Sequence, residues 1–372
     1  MQCDYFDSAR CRSCTLMGTP YDVQLAEKDA RVRRLLAAQV PDDAWATPFA
    51  GPESGFRNKA KLAVGGTTTA PTLGLLDRDG AGVDLRDCGI HEPGLREVLP
   101  RLAEFVTLAA IEPYRLSTRR GELKNLLVTR SPTGELMLRF VLRSQEAVAR
   151  IRKHLPALRA ALPQLHVVSV NILPEHRAVL EGDLEIPLTA QQTMPMPLSA
   201  ITVHLRPQSF FQTNTAVADA LYAQAVTWSH DAGAAHVWDL YCGVGGFGLH
   251  LAAPGRRVVG VESSAEAIAS ARISAAGLPG ELEFVVGDAT EYAARHRGAD
   301  LIVVNPPRRG IGELAGLLDG GDVRTVLYSS CNAESLARDL DRMPSLRPAR
   351  ARLFDMFPQT WHHEVLVLLE RA

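Results

Sequence analysis

Two side chains in this 372-residue chain carry the strongest chemical potential: the thiol of Cys331 and the carboxylate of Glu364. Cys331 ends the run "RTVLYSSC", where an apolar stretch leads through two serines to the thiol and then to Asn332. A free buried cysteine ordinarily acts as a small hydrophobe. Its place at the end of a strand, against a polar neighbour, points instead to a nucleophile. Glu364 closes "DMFPQTWHHE", just before a terminal apolar strand that should pair with "RLFDMF" as a hairpin. A carboxylate near a thiol and a bound substrate suits proton abstraction. His362, His363 and Glu364 also admit a metal-ligand reading, but adjacent strand residues point to opposite faces, which keeps His363 out of a shell shared with both neighbours. A solvated hairpin end is the plain alternative for this segment.

The elements that must position these groups begin at His236. "HVWDLY", "RRVVGVE", "LEFVVGDA", "ADLIVVNPP" and "RTVLYSSC" are apolar throughout, as strands covered on both faces are. "SAEAIASARISAAG" reads as a helix with a serine cap and a closing Gly277. The alternation predicts an open, doubly wound α/β sheet with its ligands at the carboxyl ends of the strands. After the first strand, Gly243, Gly245 and Gly248 form G-x-G-x-x-G, a turn that lets backbone approach a ligand closely. Glu262 ends the second strand, placed for ribose hydroxyls, and Asp288 ends the third. A nicotinamide cofactor fits this pattern too. The fourth strand's "NPPRRG" favours S-adenosylmethionine, because its prolines stiffen the loop and let Asn305 be aimed into the cleft. Arg308 follows the prolines where an aromatic ring would have indicated methylation of an exocyclic amine. If strands four and five are parallel neighbours, Asn305 and Cys331 leave the sheet at one edge. Cys242, inside the glycine turn, reads as structural.

At 46% hydrophobic and 22% charged residues, the chain has material for two cores. The change in pattern predicts an α+β region over residues 1–203 and the doubly wound domain over 204–372. Helical spacing over 22–39 marks a helix that packs with its own neighbours or on the catalytic domain. With 40 Lys and Arg against 42 Asp and Glu, no global field attracts a polyanion. Local clusters do the work: Arg57 and Lys59 in "FRNKAK", Arg119, Arg120 and Lys124 in "YRLSTRRGELK", Arg143 in "RFVLR", and "RIRKH". Phe56 and Tyr114 adjoin two of them, a combination of stacking surface and phosphate-binding charge that predicts a folded-RNA partner. The chain carries no apolar run of membrane length and no signal-peptide start, which predicts a cytoplasmic protein with reduced thiols, no membrane association and no obligate protein partner. Cys3, Cys11 and Cys14 are spaced C-x7-C-x2-C, and Cys88 follows. This spacing leaves zinc and an iron–sulfur cluster both open and lacks the C-x3-C-x2-C of radical enzymes.

In order and spacing, "QSFFQTN", "DLYCGVGGFGL", "NPPRRG", "YSSCN" and "DMFPQTWHHE" resemble the RNA uracil-C5 methyltransferase family, and the cysteine-rich start and "GFRNKAK" extend the likeness along nearly the whole chain. It is most like the branch acting on uracil 747 of 23S ribosomal RNA, which lacks an extra N-terminal RNA-binding barrel. The resemblance implies a Rossmann-like methyltransferase domain and a [4Fe-4S] cluster on Cys3, Cys11, Cys14 and Cys88. It implies S-adenosylmethionine contacts from Gln212, Tyr241, Glu262 and Asn305, a nucleophilic Cys331, a basic Glu364, and stacking of an extruded base on Phe210. Asn305 stands where many relatives have Asp, Ala333 where many have Pro, and His363 where an apolar or aromatic residue is usual. In the mechanism it implies, a thiolate adds to C6 of an unpaired or flipped uracil, C5 takes the methyl group, and loss of the C5 proton releases the enzyme. Arg308 is the expected neighbour for lowering the thiol pKa. Transfer RNA is the alternative substrate, and a non-catalytic, redox-sensing RNA-binding protein the alternative of another class.

Overall fold

The computed structural model describes residues 1–176, 179 and 181–372. Its contacts divide the chain into two units, Met1–Cys14 with Ser54–Met196 and Thr15–Glu53 with Pro197–Ala372. A single cut after residue 203 therefore differs from the observed division. The helix Tyr21–Leu35 belongs to the second unit, because Val32 and the adjoining Leu36 are fully buried in the same core as Trp238, Val326 and Val367.

In the first unit a seven-stranded sheet runs in the spatial order Gly82–Asp84, Pro71–Leu76, Lys59–Gly66, Leu123–Arg130, Leu136–Leu142, Leu165–Ile172 and Leu184–Pro187. All neighbours are antiparallel except Leu136–Leu142 with Leu165–Ile172, the pair joined through the helix Val148–Ala161. That helix and Leu99–Leu108 supply Ile151, Leu155, Leu102 and Val106 to a core shared with Leu126, Leu138 and Phe140.

The second unit holds a second seven-stranded sheet. In chain order its strands are β1 (His236–Leu240), β2 (Arg257–Glu262), β3 (Glu281–Val286), β4 (Leu301–Val304), β5 (Thr325–Ser330), β6 (Leu346–Phe354) and β7 (Glu364–Arg371). Their spatial order is β3-β2-β1-β4-β5-β7-β6. The first five are mutually parallel, and order reverses between β1 and β4, the position at which doubly wound sheets bind ligands. β7 runs antiparallel between β5 and β6. This is the expected doubly wound architecture with the expected terminal hairpin. Ser264 and Asp288 cap the helices Ala265–Ser274 and Ala289–Arg295 by accepting main-chain N–H bonds, which fixes the direction in which the chain leaves β2 and β3. Among the described residues no helix is long and apolar enough to cross a membrane.

Close packing reaches the glycine turn through Gly260 on β2. A Cβ there would lie 2.4 Å from Phe284 and 3.1 Å from Cys242 Sγ. Gly260→Ala is expected to destabilise the protein by about 1–3 kcal/mol through overpacking, read as a lower urea midpoint with unchanged slope.

Candidate active site

A cavity of about 710 Å³ opens at the carboxyl edge of the second unit's sheet. The turn after β1 forms one wall. Tyr241 takes a left-handed φ of 63°, Gly243 follows at 54° and Gly245 at 85°. The tyrosine is the unusual member, since a bulky residue in that region is strained. Gly245 does not reach the cavity; it caps the short helix Gly246–His250 and packs on Leu249 and Phe284. Gly248 brings its N–H to 2.7 Å from Asp239 Oδ2.

Glu262, at the end of β2, is held by the same turn. Its Oε2 accepts the Gly243 N–H at 3.3 Å, while Oε1 accepts Ser263 Oγ and the Ser264 N–H, each at 2.9 Å. Asp288 Oδ1 is committed to the N–H groups of Thr290 and Glu291, at 2.8 and 2.9 Å. Glu262, Asp288, Tyr241, Gly243, Asn305 and Gln212 all line the cavity. So do Cys331, Glu364 and Phe210, the last of them 70% exposed.

The thiol and carboxylate come together by strand pairing. β4 and β5 lie side by side in parallel, so Asn305 and Cys331 leave the sheet at one edge. β7 runs the other way, with Val365 opposite Ser330, and therefore begins where β5 ends. Asn332 fixes the turn after the thiol: its Oδ1 caps the next helix through the Glu334 N–H, and its Nδ2 donates to the Arg308 carbonyl at 3.0 Å. The stiff loop after β4 is tied down by Asp339, whose Oδ2 accepts from the Ile311 N–H at 2.8 Å and from Tyr328 Oη at 2.6 Å.

Burial sets the electrostatics. The Glu364 carboxyl is pushed up to about 7 by loss of solvent, with a 2.6 Å hydrogen bond from Ser329 Oγ acting against the rise. Burial also raises the Cys331 thiol, as does the negative charge of Glu364; Arg308 pulls it back without reversing the shift. The expectation of a lowered thiol pKa thus holds for the direction of Arg308's influence and not for the free protein's net balance. Asp239 is likewise pushed up to about 7 by burial. Neither Asp239 nor Ser329, one of the two serines before the thiol, has a role that the sequence alone suggests. An Asp within the apolar "HVWDLY" and a Ser within "VLYSS" were the available signals, but each was hidden by the strand around it.

The basic residues expected to meet RNA, with Phe56 and Tyr114 beside them, belong to the first unit and are unevenly available. Arg119 and Arg120 are exposed. Arg143 is tied to Glu122 at 2.5 Å, and Lys124 donates to the Glu175 carbonyl at 2.7 Å. Burial lowers the pKa of both Arg57 and Lys59. Phe56 and Tyr114 are each 6% exposed, so neither presents the open stacking surface expected of it; both side chains are drawn into the fold because an aromatic ring is worth more against a core than against water.

Cys3, Cys11, Cys14 and Cys88 are free and half-buried. Cys14 is pushed up to about 12 by burial and then by Cys88, Cys11 and Cys3, so the four thiols share one neighbourhood. Ile90 donates a main-chain hydrogen bond to Cys88. Among the described residues, no group of three or more Cys, His, Asp or Glu is arranged to hold a metal ion.

The raised carboxyl of Glu364 yields a stability test. A folded pKa above the unfolded value favours the fold while the group is protonated, and that advantage is lost as pH rises through about 7. Glu364→Gln is therefore expected to match the wild type below pH ~4.5 and to exceed it by roughly 3 kcal/mol at pH ~8.5, measured by denaturant titration at both values.

Residues 200–315 match the family described as "Methyltransferase small domain", and residues 288–372 match "tRNA (Uracil-5-)-methyltransferase". A 23S rRNA (uracil(747)-C(5))-methyltransferase RlmC from Cronobacter sakazakii is 49% identical, with 100% of each chain covered. The protein of the same name from Escherichia coli O157:H7 is 48% identical over 99% of each chain. Among solved structures, the Pyrococcus abyssi tRNA (uracil-54, C5)-methyltransferase in complex with S-adenosyl-L-homocysteine aligns with a TM-score of 0.79 at 26% identity, covering 96% of this chain and 85% of that one. Likeness of this extent, over a site with these residues in these places, shows that the chain belongs to the RNA uracil-C5 methyltransferase family, alongside the RlmC proteins.

Proposed function

We propose that this protein transfers a methyl group from S-adenosylmethionine to C5 of uracil 747 in 23S ribosomal RNA. The observation that carries the reading is the convergence of Cys331 and Glu364, from oppositely directed strands, on the cavity that Glu262, Asp288 and the glycine turn also line. The full-length likeness to the RlmC proteins supplies the substrate.

Bound in that cavity, S-adenosylmethionine supplies an electrophilic sulfonium methyl. The donors and acceptors available to it fit an adenosyl group: Glu262 for ribose hydroxyls, Asp288 at the adjacent strand end, Asn305 and Gln212 nearby. Cys331 thiolate adds to C6 of the uracil, which makes C5 a nucleophile able to accept the methyl. Glu364 removes the C5 proton, and the electron pair of that C–H bond re-forms the 5,6 double bond as the C6–S bond breaks. Cys331 leaves as a thiolate. Arg308 supports that charge, and Ser329 holds Glu364 as the acceptor. Phe210, exposed and lining the same cavity as the thiol, stacks on the extruded base.

Cys3, Cys11, Cys14 and Cys88 would hold a [4Fe-4S] cluster, with structural or RNA-positioning duty, since the proposed reaction changes no oxidation state. Support comes from the four thiols' shared neighbourhood, the N–H donated to Cys88 and the all-cysteine donor set. The exposed Arg119 and Arg120 serve as RNA contacts, and the protein acts in the cytoplasm.

Incubation with 5-fluorouridine-containing 23S RNA and S-adenosylmethionine is expected to give a denaturation-resistant protein–RNA adduct, because fluorine cannot leave as a proton does. Cys331→Ala abolishes both the adduct and methylation. Glu364→Gln lowers turnover on ordinary RNA by about 10²–10⁴-fold. Methylation of transfer RNA alone would overturn the substrate. Anaerobic purification is expected to yield iron and acid-labile sulfide in equal amounts with broad visible absorption, all lost in Cys88→Ala; uptake of zinc instead would overturn the cluster.

A further inference from the structure

The loop from Asp355 to His363 joins β6 to β7. It brings Phe357 and His362 to the cavity and delivers Glu364 at its end. Its ties run to one face of the helix Tyr21–Leu35, far away in sequence. Lys28 Nζ lies 2.5 Å from Asp355 Oδ1, 3.1 Å from the His362 carbonyl and 3.3 Å from the Phe357 carbonyl. An ammonium has three protons, and each has an acceptor on this loop. Lys28 and Asp355 are each 1% exposed. One helical turn away, Gln24 Nε2 donates to Gln359 Oε1 at 3.0 Å and Gln24 Oε1 accepts the Gln359 N–H at 3.2 Å. That grip holds Gln359 in a left-handed conformation at φ 68°. Tyr21 Oη donates to Asp355 Oδ2 at 2.9 Å. Tyr21, Gln24 and Lys28 are spaced to share one helix face.

A buried ion pair is a poor device for stability, because apolar residues of equal volume do as well or better. What Lys28 offers that an apolar residue cannot is direction. It binds the loop's carbonyls on both sides of the turn, at Phe357 and at His362, two residues before Glu364.

We propose that Lys28 is a positioning residue for the methyl-transfer reaction, holding the Asp355–His363 loop so that Glu364 meets the C5 proton of the bound base. The inference rests on the function proposed above. A displaced Glu364 impairs the last chemical step and spares the earlier ones, because neither thiolate addition to C6 nor methyl transfer to C5 removes the C5 proton. Lys28 variants should therefore stall with methylated RNA still bonded to Cys331.

The test compares wild type, Lys28→Met, and Lys28→Met combined with Asp355→Asn, in which no buried carboxylate is left unpaired. The assay uses ordinary, non-fluorinated 23S RNA with S-adenosylmethionine labelled in the methyl group. Both variants are expected to bind S-adenosylhomocysteine as the wild type does and to accumulate a labelled, denaturation-resistant adduct, with product release slowed about 10- to 100-fold. Release at the wild-type rate overturns the inference. So does a loss of release that, in both variants, tracks lost cofactor binding and lost cooperative melting, since Lys28 would then serve only the fold. A wild-type protein that forms no adduct on fluorinated RNA overturns the proposed function, and this inference with it.

Discussion

The site depends on one hydrogen-bonding constraint: β4 lies in parallel register between β1 and β5. Parallel pairing sends every chain out of the sheet at the same edge. The glycine turn, the Asn305 loop and Cys331 are thereby neighbours without any contact among their own side chains having to arrange it. Reversal of strand order between β1 and β4 opens the crevice between their loops. The antiparallel β7 then brings Glu364 to that edge from the start of a strand, which no parallel strand in this position could do.

The same burial that builds the crevice sets its acid–base character. Glu364 and Asp239 are both raised to about 7 by desolvation, yet their surroundings differ. Asp239 accepts a main-chain N–H from the glycine turn and belongs to the packing behind it. Glu364 accepts a serine hydroxyl and borders the cavity. One carboxylate is thus spent on shape and the other is open to a substrate. For Cys331, burial outweighs the attraction of Arg308, so the thiol is held protonated until something further favours its anion.

The doubly wound sheet was legible because its strands are apolar throughout and its turns carry Gly, Pro and capping residues in sequence. The meeting of Asn305 with Cys331 followed from parallel topology. Less legible was everything that depended on contacts distant in sequence. Lys28 and Gln24 sit in a charged helical stretch and look solvated, whereas the fold surrounds both. Phe56 and Tyr114 look like stacking surfaces beside basic residues and are instead packed inward. Pattern records which residues are polar; it does not record which polar residues find partners good enough to be buried. The extent of residues 15–53 was hidden for the same reason, since the polar groups on the Tyr21–Leu35 helix obscure its inward face.

The inside position of β7 also constrains assembly. β7 is hydrogen-bonded to β5 on one flank and to the border strand β6 on the other, and it is the last of the seven strands in chain order. Until β7 pairs with β5, the pocket walls supplied by β1 to β5 hold the thiol without the carboxylate, so the two reacting groups come together only once the last of the seven strands is in place.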